Sequence, residues 1–312
     1  MDRFGGPEEL SIHELPVPTL APGEVLIAVH TAGVGSWDAD VRSGWYPAGG
    51  PRFPLVLGTD GSGVVARVGA RVRRFRAGDR VQAYRFENVF EKGGFYAEYV
   101  AVPALNVARI PPGLDLVHAG AMTVTGLTAL QGIDDALHLE SGETIVIHGA
   151  SGGVGTLAVQ IAKLRRAHVL ASVSGRDAVA LARRLGADAA VDGKRLDLAA
   201  VLRRFAPDGT DAVLALAGGT TLTRCLDAVR RGGRLAYPNG IEPRPRKRRG
   251  LSIVTYDAAV GPREFNRLRR AVEAAKLQVP IAASYPLARA VEAHRRIAAG
   301  HVLGKVVLRV KR

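Results

Sequence analysis

The segment Ala150-Ser151-Gly152-Gly153-Val154-Gly155 has the A-x-G-x-x-G spacing of a dinucleotide fingerprint. An apolar run, Thr144–His148, precedes it. A helical period follows over Thr156–Arg166, with Leu157, Ile161 and Leu164 on one face. The chemistry needs bare backbone: Gly152 lets the main chain approach a pyrophosphate, and Gly155 lets the helix pack closely on the sheet. The helix N-terminus then offers free N–H groups and a partial positive charge to phosphate. A glycine turn between strand and helix is also made for purely structural reasons. Here strand, turn, helix and second strand all fall where nucleotide binding needs them.

The end of the second strand, His168–Val173, reads which nucleotide binds. An NAD site places an acid there for the ribose 2′-hydroxyl, and this chain has Val173. Ser174 and Arg176 follow, a hydroxyl and a guanidinium suited to a 2′-phosphate. The bland alternative makes Arg176 a solvated helix-start residue and Asp177 an N-cap. NADPH is the expected cofactor.

Around this motif, apolar strands alternate with helical periods from residue 117 onward, the pattern of a parallel α/β sheet. Strands are expected at Thr144–His148, His168–Val173, Ala189–Asp192, Ala212–Leu216, Arg234–Tyr237 and Leu251–Thr255, with helices at Asp177–Leu185, Leu196–Phe205 and Leu222–Arg230 between them. Six strands make a doubly wound nucleotide domain. Before residue 117, short strands such as Glu24–His30, Gly61–Val68, Arg80–Ala83 and Glu98–Val102 are broken by Gly and Pro, as in an antiparallel barrel-like domain. Two amphipathic helices, Pro262–Lys276 and Leu287–Ala299, and a strand, Lys305–Val310, close the chain. The expected division is residues 1–116 with 260–312 as a discontinuous β domain, and 117–259 as the nucleotide domain.

The chain has 312 residues, and 43 Lys and Arg against 29 Asp and Glu give a net charge of +14, which favours anionic ligands. Its one cysteine, Cys225, excludes a disulfide framework within the chain and a zinc site built from several cysteines. The charged N-terminus does not read as a signal peptide, and no run of about 18 apolar residues is present to span a bilayer. A soluble, cytoplasmic protein is expected.

Several segments together resemble the medium-chain dehydrogenase/reductase superfamily, in its zinc-free quinone oxidoreductase (zeta-crystallin-like) branch. They include FGGPEEL at 4–10, APGEVLIAV at 21–29, LGTDGSGVVARVG at 57–69, AGDRV at 77–81, GLTAL at 126–130, HGASGGVG at 148–155 and GKVVL at 304–308. The resemblance covers essentially the whole chain. It implies a GroES-like β domain, a Rossmann domain, a cleft between them where nicotinamide meets substrate, hydride transfer from NADPH, and a homodimer formed through the Rossmann sheets. It also implies that Ser151, Gly152, Gly153 and Val154 lie on the pyrophosphate, Ser174 and Arg176 on the adenosine phosphate, and Tyr237, Asn239 and Gly240 beside the nicotinamide. Thr128 matches a threonine the family keeps near that ring; a helix-interior hydroxyl back-bonded to a carbonyl is the alternative.

Zinc alcohol dehydrogenases share the architecture. Their cysteine ligand falls near Gly35 here, and their Gly-His-Glu segment matches Gly58-Thr59-Asp60, without a histidine. Asp60 reads as a buried hydrogen-bonding residue, and no metal is expected. The chain also departs from its own branch, with Gly35 in place of an asparagine and Asp40 in place of a tyrosine. Asp40 either enters the pocket or points to solvent. Tyr46, Asp40 and Thr128 are the candidates to donate or relay the proton that follows hydride transfer. The sequence begins a few residues late, inside the first strand of the family, so either a weakened edge strand or a start site placed downstream is expected.

A small-molecule quinone or enone is the expected substrate, with an enoyl thioester as the enzymatic alternative. From another class, a nucleic-acid- or protein-binding role with NADPH as a stabiliser would rest on the Arg244–Arg249 basic run. Two prolines and no interleaved aromatics speak against base stacking there.

Overall fold

The short apolar runs of the first third pair as antiparallel strands, because each carries enough β-branched residues to cover a shared core. A computed structural model of the chain describes residues 1–45, 52–85, 93–194 and 197–310. It divides into two units. Unit 1 is Met1–Val124, Val260–Arg269 and Ile281–Arg312, and unit 2 is Thr125–Ala259 and Arg270–Pro280.

Unit 1 opens with β1 (Glu24–Val34), α1 (Ser36–Arg42), β2 (Asp60–Val68), β3 (Arg80–Tyr84), β4 (Tyr99–Pro103) and β5 (Val107–Arg109). The helix α2 (Leu116–Gln131) follows, continued by a π-helical turn over Gly132–Ala136. The span Leu116–Ala136 has the length and apolar character to cross a membrane, but 78% of its most apolar window is buried inside the protein, as in a core helix. β1 is the hub of its sheet. It pairs antiparallel with β2 on one side, and on the other with β4 through Glu24–Ala28 and with the last strand through Thr31–Val34. Val25, Ile27, Val29, Val65, Val81, Phe95, Val100 and Val306 form the core beneath it. Full burial of each such side chain is worth about 1.5–3 kcal/mol. Residues 11–20 form no strand, and Ile12, Leu15 and Val17 are exposed.

Unit 2 alternates β6 (Thr144–His148), α3 (Gly153–Leu164), β7 (His168–Val173), α4 (Arg176–Arg184), β8 (Ala189–Asp192), α5 (Leu198–Phe205), β9 (Thr210–Ala215), α6 (Thr220–Asp227), β10 (Val229–Pro238) and β11 (Ser252–Tyr256). The six strands form a parallel sheet in the order β11-β10-β9-β6-β7-β8, the doubly wound arrangement of a Rossmann fold. Val146, Leu170, Val213 and Leu235 fill the core under it.

The chain closes with α7 (Pro262–Ala275), β12 (Ile281–Pro286), α8 (Ala290–Ala298) and β13 (Lys305–Arg309). Two helices are shorter than their periodicity implies. The expected Leu222–Arg230 helix stops at Asp227, because Val229 already pairs with Thr210. The expected Leu287–Ala299 helix begins as a 3₁₀ turn over Leu287–Arg289. β12 was not legible as a strand; it pairs parallel with β13.

Glycine is obligatory where β1 and β2 approach most closely. A Cβ at Gly63 would fall 2.1 Å from the Ala28 carbonyl oxygen, whereas one at Gly23 would meet nothing within 4 Å. Gly63→Ala is therefore expected to lower unfolding free energy by about 1–3 kcal/mol or more through overpacking. Gly23→Ala should stay within about 0.5 kcal/mol of the parent. Urea unfolding of both variants checks this; equal stabilities would refute the packing account.

Candidate functional site

In unit 2 the fingerprint sits at the carboxyl end of β6, where strand order reverses between β6 and β9. Gly149 turns the chain with φ +82°, and a Cβ there would lie 3.2 Å from Leu216 at the end of β9. Gly155 must be bare, because a Cβ would fall 2.3 Å from Gly149 O and 2.6 Å from Ala150 Cα. This contact seats α3 on the turn. Gly152, the N-cap, has only Gly149 O near its missing Cβ, at 3.7 Å, so its backbone is open to a ligand. Ser151, Gly152, Gly153 and Val154 are all half-buried.

Ser174 is half-buried after β7, and Arg176 is exposed at the start of α4. Asp177 accepts from Ala178 N at 2.9 Å, and Gly175 holds the N-cap position instead. An acid that the sequence reading passed over stands beside them. Asp192, at the end of β8, accepts from Gly175 N at 3.2 Å and Lys194 N at 3.1 Å. Tyr237 is half-buried near the end of β10. Asn239 is exposed, accepting from Thr255 Oγ1 at 2.8 Å and donating to Asp257 at 2.7 Å, and Gly240 has φ +89°. These positions share the carboxyl side of the sheet with the fingerprint. Thr128 is buried in α2, and its carbonyl accepts from the Tyr256 hydroxyl at 2.9 Å.

In unit 1, Tyr46 lies outside the described residues. Asp40 is half-buried on α1, and burial raises its carboxyl pKa. The deeply buried acid of this helix is a different one, Asp38, 2% exposed. Its Oδ2 accepts from Gly35 N at 2.8 Å. A directed chain of hydrogen bonds backs it. Arg42 Nε can only donate, and it donates to His294 Nδ1 at 3.3 Å. His294 Nε2 therefore carries the proton and donates to Tyr96 Oη at 3.2 Å, which turns the Tyr96 hydroxyl toward Asp38. Asp60, 1% exposed, accepts from Val124 N at 3.0 Å through Oδ2, as its reading as a buried hydrogen-bonding residue implied. Lys305, 6% exposed, brings an ammonium close to both carboxylates.

Burial pushes Asp38 up to about 7, against the pull of Gly35 N–H and Lys305. It raises Asp60 too, again opposed by Lys305. Burial and then the Arg42 charge lower His294 to about 4, so it is neutral in this chain of bonds. Sequence reasoning missed Asp38, Tyr96, His294 and Lys305 as a group because they come from four separated segments. The Gly33-Val34-Gly35 spacing, two bare positions on one strand face, was the available signal.

Elsewhere, Cys225 is fully buried and its thiol is pushed up to about 12, so it is packed, as expected, rather than reactive. In the basic run, Arg248 pairs with Asp227 at 2.6 Å and Arg244 with Glu242 at 3.3 Å, which favours a solvated loop.

Residues 21–112 match the alcohol dehydrogenase GroES-like domain family, and 185–308 the zinc-binding dehydrogenase family. The quinone oxidoreductase of Lama guanicoe is 30% identical, over 100% of this chain and 96% of its own length. A solved NAD-dependent alcohol dehydrogenase is 35% identical with a TM-score of 0.91, covering 100% of this chain and 98% of its own. A mycobacterial protein solved with NADPH is 28% identical with a TM-score of 0.87, covering 99% and 98%. The donor set here does not fit the zinc that the second family is named for. Among the described residues no three His, Cys, Asp or Glu side chains are grouped to hold a metal, and an ammonium stands near the Asp38–Asp60 pair.

Because folded Asp38 binds its proton more tightly than the unfolded chain does, ionising it costs stability. Its contribution is present below the ordinary value of 3.8 and is lost as pH rises through about 7. His294 acts oppositely, its contribution being lost as pH falls from 6.5 through about 4. Wild-type stability minus that of Asp38→Asn is therefore expected to fall steadily between those two Asp38 values and then level off. Denaturant titrations at a series of pH values measure this, and a difference independent of pH would refute it.

Proposed function

Because the chain belongs to the medium-chain dehydrogenase/reductase superfamily, in its quinone oxidoreductase branch, we propose that it reduces a quinone or related α,β-unsaturated carbonyl with NADPH and without metal. The observation that carries this reading is the open fingerprint backbone at the strand-order reversal, with Gly152 free to meet a pyrophosphate and Gly155 seating α3 behind it. When bound, the nicotinamide supplies the hydride.

The residues have separable tasks. The N–H groups of Ser151, Gly152, Gly153 and Val154, at the start of α3, offer donors and a positive helix end to the pyrophosphate. Ser174 and exposed Arg176 take the adenosine 2′-phosphate, where a charge-assisted bond is worth about 1.5–3 kcal/mol. Tyr237, Asn239 and Gly240 line the nicotinamide side, with the Asn239 amide oriented by Thr255 and Asp257. Thr128, Asp40 and Tyr46 remain the sequence-derived candidates for handling the proton.

An NADH reading is the alternative that a specific observation favours. The Asp192 carboxylate stands at the neighbouring strand end, and the 35%-identical relative is named NAD-dependent. Reduction of an enoyl thioester is the alternative for substrate. A homodimer through the β11 edge fits the half-exposed Val254 there, and a cytoplasmic setting fits a chain whose one cysteine is buried.

Oxidation of NADPH against a panel of quinones, enones and enoyl thioesters tests the activity, and a chain idle on the whole panel overturns it. NADPH is expected to bind at least about tenfold tighter than NADH, a gap of about 1.4 kcal/mol or more, and Arg176→Ala to remove most of it. Equal affinities in the wild type would assign the adenosine site to NADH. Chelators should leave turnover unchanged, and stoichiometric zinc whose removal abolishes activity would overturn the metal-free reading.

A further inference from the structure

Tyr256, the last residue of β11, is bonded to two other elements of unit 2 at once. Its backbone carbonyl accepts from Asn239 N at 3.1 Å, one residue past the end of β10. Its hydroxyl donates to the Thr128 carbonyl of α2 at 2.9 Å. The direction of that bond is fixed, because a carbonyl oxygen only accepts and burial raises the phenol pKa above its ordinary value.

The helix is shaped to receive this hydroxyl. Gly132 stands four residues after Thr128, on the same helix face, and opens the π-helical turn. A Cβ there would fall 2.2 Å from Tyr256 Oη and 2.9 Å from Cζ, so a bare position is what lets the ring reach the carbonyl. Gln131 adds a second tie to the same segment, donating through Nε2 to Ala259 O at 2.8 Å and accepting from Ala259 N at 2.9 Å. On the other side, Asn239 is held by its own N–H, by Thr255 on Oδ1 and by Asp257 on Nδ2. Thr255–Ala259 is thus a brace between the C-terminal half of α2 and the carboxyl end of β10. Tyr256 alone grips both, through its carbonyl and its hydroxyl.

We propose that Tyr256 is the positioning residue for the nicotinamide half of the nucleotide, fixing the spacing between Thr128 and the Asn239–Gly240 turn before the ring arrives. The proposal rests on the reading above, in which Asn239 and Gly240 line the nicotinamide side and Thr128 lies near the same ring. Tyr256 acts through these residues and touches no part of the nucleotide itself. Bonds already made in the free protein need not be made on binding, so the cost of ordering the slot falls outside the binding step. The adenosine half belongs to Ser174 and Arg176 after β7. In the sheet order β11-β10-β9-β6-β7-β8, that strand is separated from β10 by β9 and β6. Loss of the brace is therefore felt in one half of the nucleotide only.

Tyr256→Phe removes the hydroxyl and keeps the ring. Gly132→Ala keeps the hydroxyl and drives it off the carbonyl. Each is compared with wild type for binding of NADPH and of 2′-phosphoadenosine 5′-diphosphoribose, the oxidised nucleotide without its nicotinamide. The fluorescence of bound NADPH reports separately how firmly the dihydronicotinamide ring is held. The expected result is NADPH binding weakened about tenfold, with emission falling toward that of the free nucleotide, and fragment affinity within about twofold of wild type. A fall in either NADPH readout with the fragment unaffected supports the proposal. A merely structural role would weaken both ligands alike; that outcome, or wild-type values in both NADPH readouts, overturns it. If one variant does not fold, the other decides. Should the wild type prefer NADH, NADH and adenosine 5′-diphosphoribose take the place of the pair. A wild-type chain that binds neither nucleotide defeats the functional reading itself, an outcome distinct from tight binding that is indifferent to Tyr256.

Discussion

A charge carried into a protein interior must meet its counter-charge there, and the site end of unit 1 is organised by that constraint. Lys305, Asp38 and Asp60 are each at least nine-tenths buried, so none can rely on water. Their mutual approach requires bare backbone at Gly33, since a Cβ there would fall 2.6 Å from Asp60 Oδ1 and 3.1 Å from Lys305 Cε. The further bonds follow from the same need. Gly35 N–H, Val124 N–H and the Tyr96 hydroxyl supply the donors that two buried carboxylates demand. His294, kept neutral by burial and by Arg42, sets the direction of the Tyr96 hydroxyl.

Unit 2 solves a different problem, that of leaving backbone polar groups open for a ligand. Its central strands β6, β7 and β9 are buried on both faces, so their own N–H and C=O groups are consumed by the parallel ladder. The start of α3 is the exception, because the first N–H groups of a helix have no partner within it. Gly155 allows that helix to press onto Gly149 and Ala150, and Gly152 keeps the approach clear. Two absent side chains do opposite jobs, one closing the fold and the other opening the site.

The fold was legible wherever one local signal sufficed. Thr144–His148, His168–Val173 and Ala189–Asp192 were read to the residue, because buried parallel strands appear as short apolar runs closed by turn residues. Reading failed where pairing overrode local preference. Val229 left the helical period to pair with Thr210, and Ile281–Pro286, an Ala-Ala-Ser-Tyr-Pro stretch with weak strand character, became β12 by lying along β13.

The same division runs through the functional residues. By itself the sequence determined the glycine-rich turn and the strand and helix that flank it, because those depend on residue type and near spacing. Only the tertiary structure decided that the buried acid of α1 is Asp38, that Asp192 stands beside Gly175, and that Lys305 reaches across β1 toward Asp60. Each of these brings together residues between 17 and about 270 positions apart in the chain. Strand order and burial set such encounters, and with them the charge a side chain carries, and neither is written in a local stretch of sequence.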